Sequence, residues 1–187
     1  MTKHKHFLLV QGLLIIAYTF FLISILLRRH EALMIVGLTI KLIGTFVSYL
    51  NWKSKMLLVG LGLQIVSFVT VLILGNRLEG AGYAMIQFME IQAMVLEGAY
   101  VSLALSDVIL MYQSSRITQK ASLVPVYRGL SLLALGIVVI DILGYSFLIP
   151  TVLIVMISVL EFASYFVYAV ILFYEMIQYR KNIKFYA

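Results

Sequence analysis

The chain contains no cysteine. That removes disulfides, thiolate metal sites, iron–sulfur ligation and cysteine nucleophiles together. Histidine is nearly as scarce: His4, His6 and His30 all stand at the ends of apolar runs. With no paired histidines inside a helix-length segment, haem ligation and catalytic zinc are not expected, and neither a metal nor a cofactor is assigned. Glycines such as Gly37, Gly44, Gly60, Gly62, Gly98 and Gly136 lie within apolar segments, where they permit close helix approach rather than cradling phosphate.

Charge is the most telling deficit. Charged residues make up 12% of the chain and hydrophobic ones 63%, with a mean hydropathy of +1.07. A soluble domain carries about 25% charged and roughly 45–50% apolar residues. A chain of 187 residues could not hide this much apolar surface from water. The composition therefore predicts one integral membrane domain covering residues 1–187. The runs do not alternate apolar and polar residues as barrel strands do, so the expected class is all-α.

A hydrocarbon core of about 30 Å takes roughly 20 residues of helix. Six stretches qualify, at approximately 7–27, 32–50, 56–75, 81–113, 129–148 and 151–179. The first resembles a secretory signal but is too long and ends in Arg28 and Arg29 without a small-residue cleavage site, so it is expected to remain as a span. Polar residues separate the others, including a basic loop from Ser114 to Arg128; the last break is a turn at Pro150.

The net charge of +6 collects at span ends, as lipid headgroups favour, which argues against a nucleic-acid partner. With the N-terminus inside, one side gathers Lys3, Lys5, Lys53, Lys55, Arg116, Lys120, Arg128, Arg180, Lys181 and Lys184, and the other only Arg28, Arg29 and Arg77. Six spans with both termini cytoplasmic satisfy the positive-inside rule, and a bacterial cytoplasmic membrane is the expected location.

Against this apolar background, ionisable residues inside the spans stand out. Each costs about 2.5–3.5 kcal/mol at the centre of a bilayer even on the mildest scale. Lys41, Glu90, Glu97, Asp141 and Glu161 fall at similar expected depth on four different spans. On the fourth, Gln87, Glu90 and Glu97 share an arc of about 80°. On the sixth, Glu161, Ser164, Tyr165, Tyr168 and Glu175 share an arc of about 100°. Lys41, Thr45 and Ser48 align on the second, Asp141 shares a face with Tyr145, and Gln11 and Gln64 add polar groups to the first and third. Such faces turn from lipid toward one another or toward water.

Carboxyl groups removed from water hold protons more readily, which is the chemical reason to expect proton or cation linkage. The favoured expectation is a small transporter or channel-like protein. Glu90, Glu97, Asp141 and Glu161 form its expected site, Lys41 is their counter-charge, and Gln87, Gln64, Tyr165 and Tyr168 support them. Asp107 and Glu175 are expected near the inner interface, outside this group. Expected partners are membrane lipids and a small cationic or polar solute, with a homo-oligomer or a partner membrane subunit as further options. Two other readings compete: an accessory, regulatory or immunity-type subunit, in which polar residues only join helices, and a lipid-acting membrane enzyme. Val95-Leu96-Glu97 followed by Ala99 echoes Val159-Leu160-Glu161 followed by Ala163, the kind of similarity a duplicated hairpin leaves.

Overall fold

A computed structural model describes residues 3–27, 31–75, 86–118, 120–146 and 151–185. Six long helices account for nearly all of them: α1 (Lys3–Leu26), α2 (Glu31–Trp52), α3 (Lys55–Gly75), α4 (Ile86–Ile117), α5 (Val124–Ser146) and α6 (Thr151–Phe185). A single 3-10 turn, Ala121–Leu123, precedes α5. No strand occurs among the described residues. The protein is an all-α bundle, as its composition predicts.

Five helices, α1, α2, α3, α5 and α6, are long and apolar enough to cross a membrane. The sixth, α4, is 32 residues long and carries Glu90, Glu97 and Asp107. Each helix packs on its neighbours in sequence, and α1 also packs on α6, so the six form a closed ring. Consecutive helices run in opposite directions. One end of the ring, here the basic end, therefore gathers the N-termini of α1, α3 and α5 with the C-termini of α2, α4 and α6. Phe7 marks that end, its ring packing against Trp52 and Tyr179.

Burial in this ring is the reverse of a soluble protein. Lys41 is 0% exposed and Asp107 2%, whereas Leu132 is 68% and Leu26 69% exposed. Apolar side chains face outward where lipid tails accept them, and polar ones converge inside where they find partners. This is the arrangement of a multi-pass membrane protein. The interior is completed by Val10, Leu14, Tyr18, Leu38, Leu57, Leu110, Met111, Tyr127 and Tyr168.

Helix ends run past the expected breaks. The chain from 114 to 128, read as a loop, is helical to Ile117 and again from Val124. Gln113 and Ser115 are buried inside the bundle, so their polarity does not end α4. Pro125 sits in the first turn of α5, where its missing N–H has no helical partner to lose. At the other basic-end connection, Lys53 adopts the left-handed conformation (φ 46°) and its N–H donates to Tyr49 O at 2.7 Å, which terminates α2. The turn at Pro150 lies outside the described residues.

Candidate functional site

The centre of the ring holds a buried ion pair. Lys41 Nζ on α2 lies 2.5 Å from Asp107 Oδ1 on α4, and it also donates to Ser106 Oγ at 3.0 Å. Ser106 in turn donates to Leu103 O. Tyr18 of α1 donates to Asp107 Oδ1, and Tyr165 of α6 donates to Asp107 Oδ2 at 3.1 Å. One carboxylate thus joins four helices. The rings of Tyr18 and Phe21 lie 5.9 and 5.7 Å from Lys41 Nζ, within cation–π range. A buried ion pair keeps both charges only when the remaining lone pairs and protons find partners. Here Ser106, Tyr18 and Tyr165 supply them.

Toward the end opposite the basic one, a cavity of about 180 Å³ opens above this pair. Glu97 of α4, Asp141 of α5 and Glu161 of α6 all line it, together with Phe21, Tyr100, Tyr165, Met34 and Ser24. Tyr165 connects it to the pair below. Its hydroxyl lies 3.1 Å from Asp107 Oδ2 and 3.4 Å from Glu161 Oε1, and its single proton can serve only one at a time. The cavity's acid chemistry and the central ion pair therefore share a hydroxyl.

Toward the basic end, a second buried carboxylate ties helix ends together. Glu175 of α6 accepts from Tyr127 Oη of α5 at 2.7 Å, from Gln11 Nε2 of α1 at 3.3 Å, and from Thr118 just beyond α4. Between the two carboxylates lies Tyr168, 2.8 Å from Ser114 Oγ through its hydroxyl. Its ring stands edge-on to Tyr18 at 5.0 Å and to Tyr127 at 5.9 Å, the T-shaped geometry that aromatic pairs favour. Nearby, Gln11 and Gln113 border a cavity of about 20 Å³, the room one water molecule needs.

The predicted site residues divide into groups. Glu97, Asp141 and Glu161 share one cavity. Tyr165 adjoins it, while Tyr168 lies deeper toward the basic end. Gln64 is buried elsewhere, donating to Thr45 Oγ1 at 3.1 Å between α3 and α2. Glu90 and Gln87 stand on the first turns of α4, and their side chains lie outside the described residues. Lys41 is corrected: its ion-pair partner is Asp107, not one of the four expected carboxyls. Asp107 and Glu175, expected near the interface, are both buried in the bundle, at 2% and 5% exposure. A sequence signal for Asp107 existed. It follows Glu97 by ten residues, about 80° short of three turns of helix, and shares a face of α4 with Leu103 and Leu110.

No protein-family model, curated protein sequence or solved structure matches this chain.

Proposed function

We propose that this protein is a small multi-pass transporter or channel-like protein in which a cationic or polar solute enters the cavity lined by Glu97, Asp141 and Glu161. The observation that carries this reading is the convergence of three carboxyl-bearing helices on one cavity that communicates, through Tyr165, with a buried ion pair. Intramembrane acids are retained where they face a pathway or a partner, and the cavity offers them a pathway.

In this reading Glu161 is the titrating or cation-accepting group. While it is bare, it competes with Asp107 for the Tyr165 proton. Once it takes up a proton or a cation, Tyr165 is left to Asp107 alone. Occupancy of the cavity is thereby coupled to the contact that holds α1, α2, α4 and α6 together. The lysine and arginine asymmetry is taken to set the basic end in the cytoplasm. The cavity then faces outward, with the Glu175 cluster closing the inner end.

Reconstitution into proteoliposomes tests the proposal. Cation flux linked to a pH gradient is expected from the intact protein, and Glu161→Gln or Glu97→Gln should abolish it while the helical circular dichroism persists. Flux unaltered by both substitutions in folded protein would sink it. Absence of flux with a stoichiometric partner chain after mild-detergent purification would favour an accessory subunit instead.

A further inference from the structure

We infer that the ligand of this cavity is a small organic ammonium ion with an apolar body, rather than an inorganic cation; the inference rests on the transport reading above. Charge complementarity supplies the sign. Glu97, Asp141 and Glu161 line the space from three helices, and among the described residues the buried cation Lys41 is already engaged by Asp107. A carboxylate has about four acceptor positions. Asp141 and Glu161 also have contacts within the protein, so a ligand would share these carboxylates with those contacts.

The spread of the acids distinguishes between classes of cation. Among the described residues, no group of three or more Asp, Glu or His side chains converges closely enough to hold a metal ion. Magnesium and calcium need about six or more oxygens at roughly 2.0–2.6 Å to replace their water. Carboxyls distributed around a wall cannot provide that shell. They can surround a cation whose charge is spread over several methylene or methyl groups.

The rest of the wall fits the apolar part of such a molecule. Phe21, Tyr100 and Tyr165 present rings, and Met34 a polarizable thioether. Ring faces attract alkylammonium groups, whereas a strongly hydrated ion would lose water here without replacement. Size narrows the choice further. At about 180 Å³, the space slightly exceeds the roughly 150 Å³ that accommodates benzene in an apolar core. A single ring with a short cationic head fills it.

Benzyltrimethylammonium is the appropriate probe, with neopentylbenzene as its uncharged isostere and sodium and magnesium ions as inorganic competitors. Equilibrium binding to the full-length protein in nanodiscs should be saturable for the ammonium compound and absent for the isostere. Asp141→Asn should weaken it by about tenfold or more, since a desolvated charge contact is worth at least about 1.4 kcal/mol. Tyr100→Leu should weaken it by about threefold to tenfold, and Tyr100→Phe should restore most of the loss because the ring is kept. Equal binding of the isostere, or preferential binding of sodium or magnesium, overturns the inference. Saturable binding without flux in proteoliposomes overturns the transport reading and leaves the ligand class standing. Flux dependent on Glu161 without ammonium binding does the reverse.

Discussion

Lys41 and Asp107 meet at 2.5 Å in the middle of the ring, with 0% and 2% of their surfaces exposed. Neither charge has water to return to if the other is removed. Lys41→Met or Asp107→Leu alone should therefore cost about 3–5 kcal/mol of stability. The double substitution leaves no unpaired charge, and it should recover most of the loss, though Tyr18, Tyr165 and Ser106 would each lose a partner. Unfolding of the four proteins in detergent micelles gives the coupling energy directly. Losses that simply add would show that the two charges are not paired.

The Tyr165 hydroxyl lies between Asp107 and Glu161, so a change at Glu161 should be felt at Lys41 mainly through it. Removing the hydroxyl in Tyr165→Phe should cost about 1–3 kcal/mol, because it strips a buried carboxylate of a donor. A more specific consequence can be read by nitrogen NMR of the Lys41 ammonium. Glu161→Gln should shift that signal in the wild-type background and shift it much less in the Tyr165→Phe background. Equal shifts in both would mean that the cavity and the pair communicate by another route.

Glu175 accepts hydrogen bonds from three separate elements besides its own helix, so the integrity of the basic end depends on it. Glu175→Gln preserves the size and part of the bonding, whereas Glu175→Leu orphans Tyr127, Gln11 and Thr118. We expect Glu175→Leu to cost about 2–4 kcal/mol and Glu175→Gln clearly less. Hydrogen exchange should accelerate in the first turns of α1 and α5 in Glu175→Leu while the far ends of those helices stay protected. Uniform acceleration would indicate a global rather than a local role.

The number of helices and their outward apolar faces were legible because the composition leaves a membrane as the only solvent for them. The polar stripe on α6 was equally legible: Ser164, Tyr165, Tyr168 and Glu175 all turn inward, as their spacing predicts. Pairing was not. Sequence depth brought Lys41 level with Glu97 and Glu161, yet α4 runs far enough past the expected break that Asp107, rather than an end residue, meets the ring's centre. One-dimensional depth is uncertain by a turn or more when helices tilt and overrun the bilayer, and an ion pair is decided within a few ångströms. Glu175 could be placed on the α6 stripe, but its partners could not be named, for the same reason. Its partners come from three other segments, and nothing local in the sequence marks them as neighbours.

Close approach of α1 and α2 makes the last prediction. Gly37 and Gly44 are seven residues apart and so lie within about 20° of each other on one face of α2, against α1. A Cβ on Gly37 would stand 3.1 Å from Ala17 O, 3.1 Å from Phe20 Cβ and 3.2 Å from Phe21 Cδ1. The first of these is backbone and cannot swing aside, so the helices themselves would have to separate. A Cβ on Gly44 meets Leu13 Cβ and Leu14 Cδ2 at 3.3 Å, slightly longer contacts of which the Leu14 methyl can turn aside. Gly62 on α3 has nothing within 4 Å of that position. Gly62→Ala should therefore gain about 0.5–1 kcal/mol from helix propensity alone. Gly37→Ala should lose about 1–3 kcal/mol to overpacking, and Gly44→Ala should fall between them. Because Phe21 both packs on Gly37 and lines the cavity, Gly37→Ala should also weaken ligand binding, whereas Gly62→Ala should leave it unchanged. Micelle unfolding and nanodisc binding on the three variants check both orders, and a Gly37→Ala protein as stable as Gly62→Ala would show that α1 and α2 do not approach this closely.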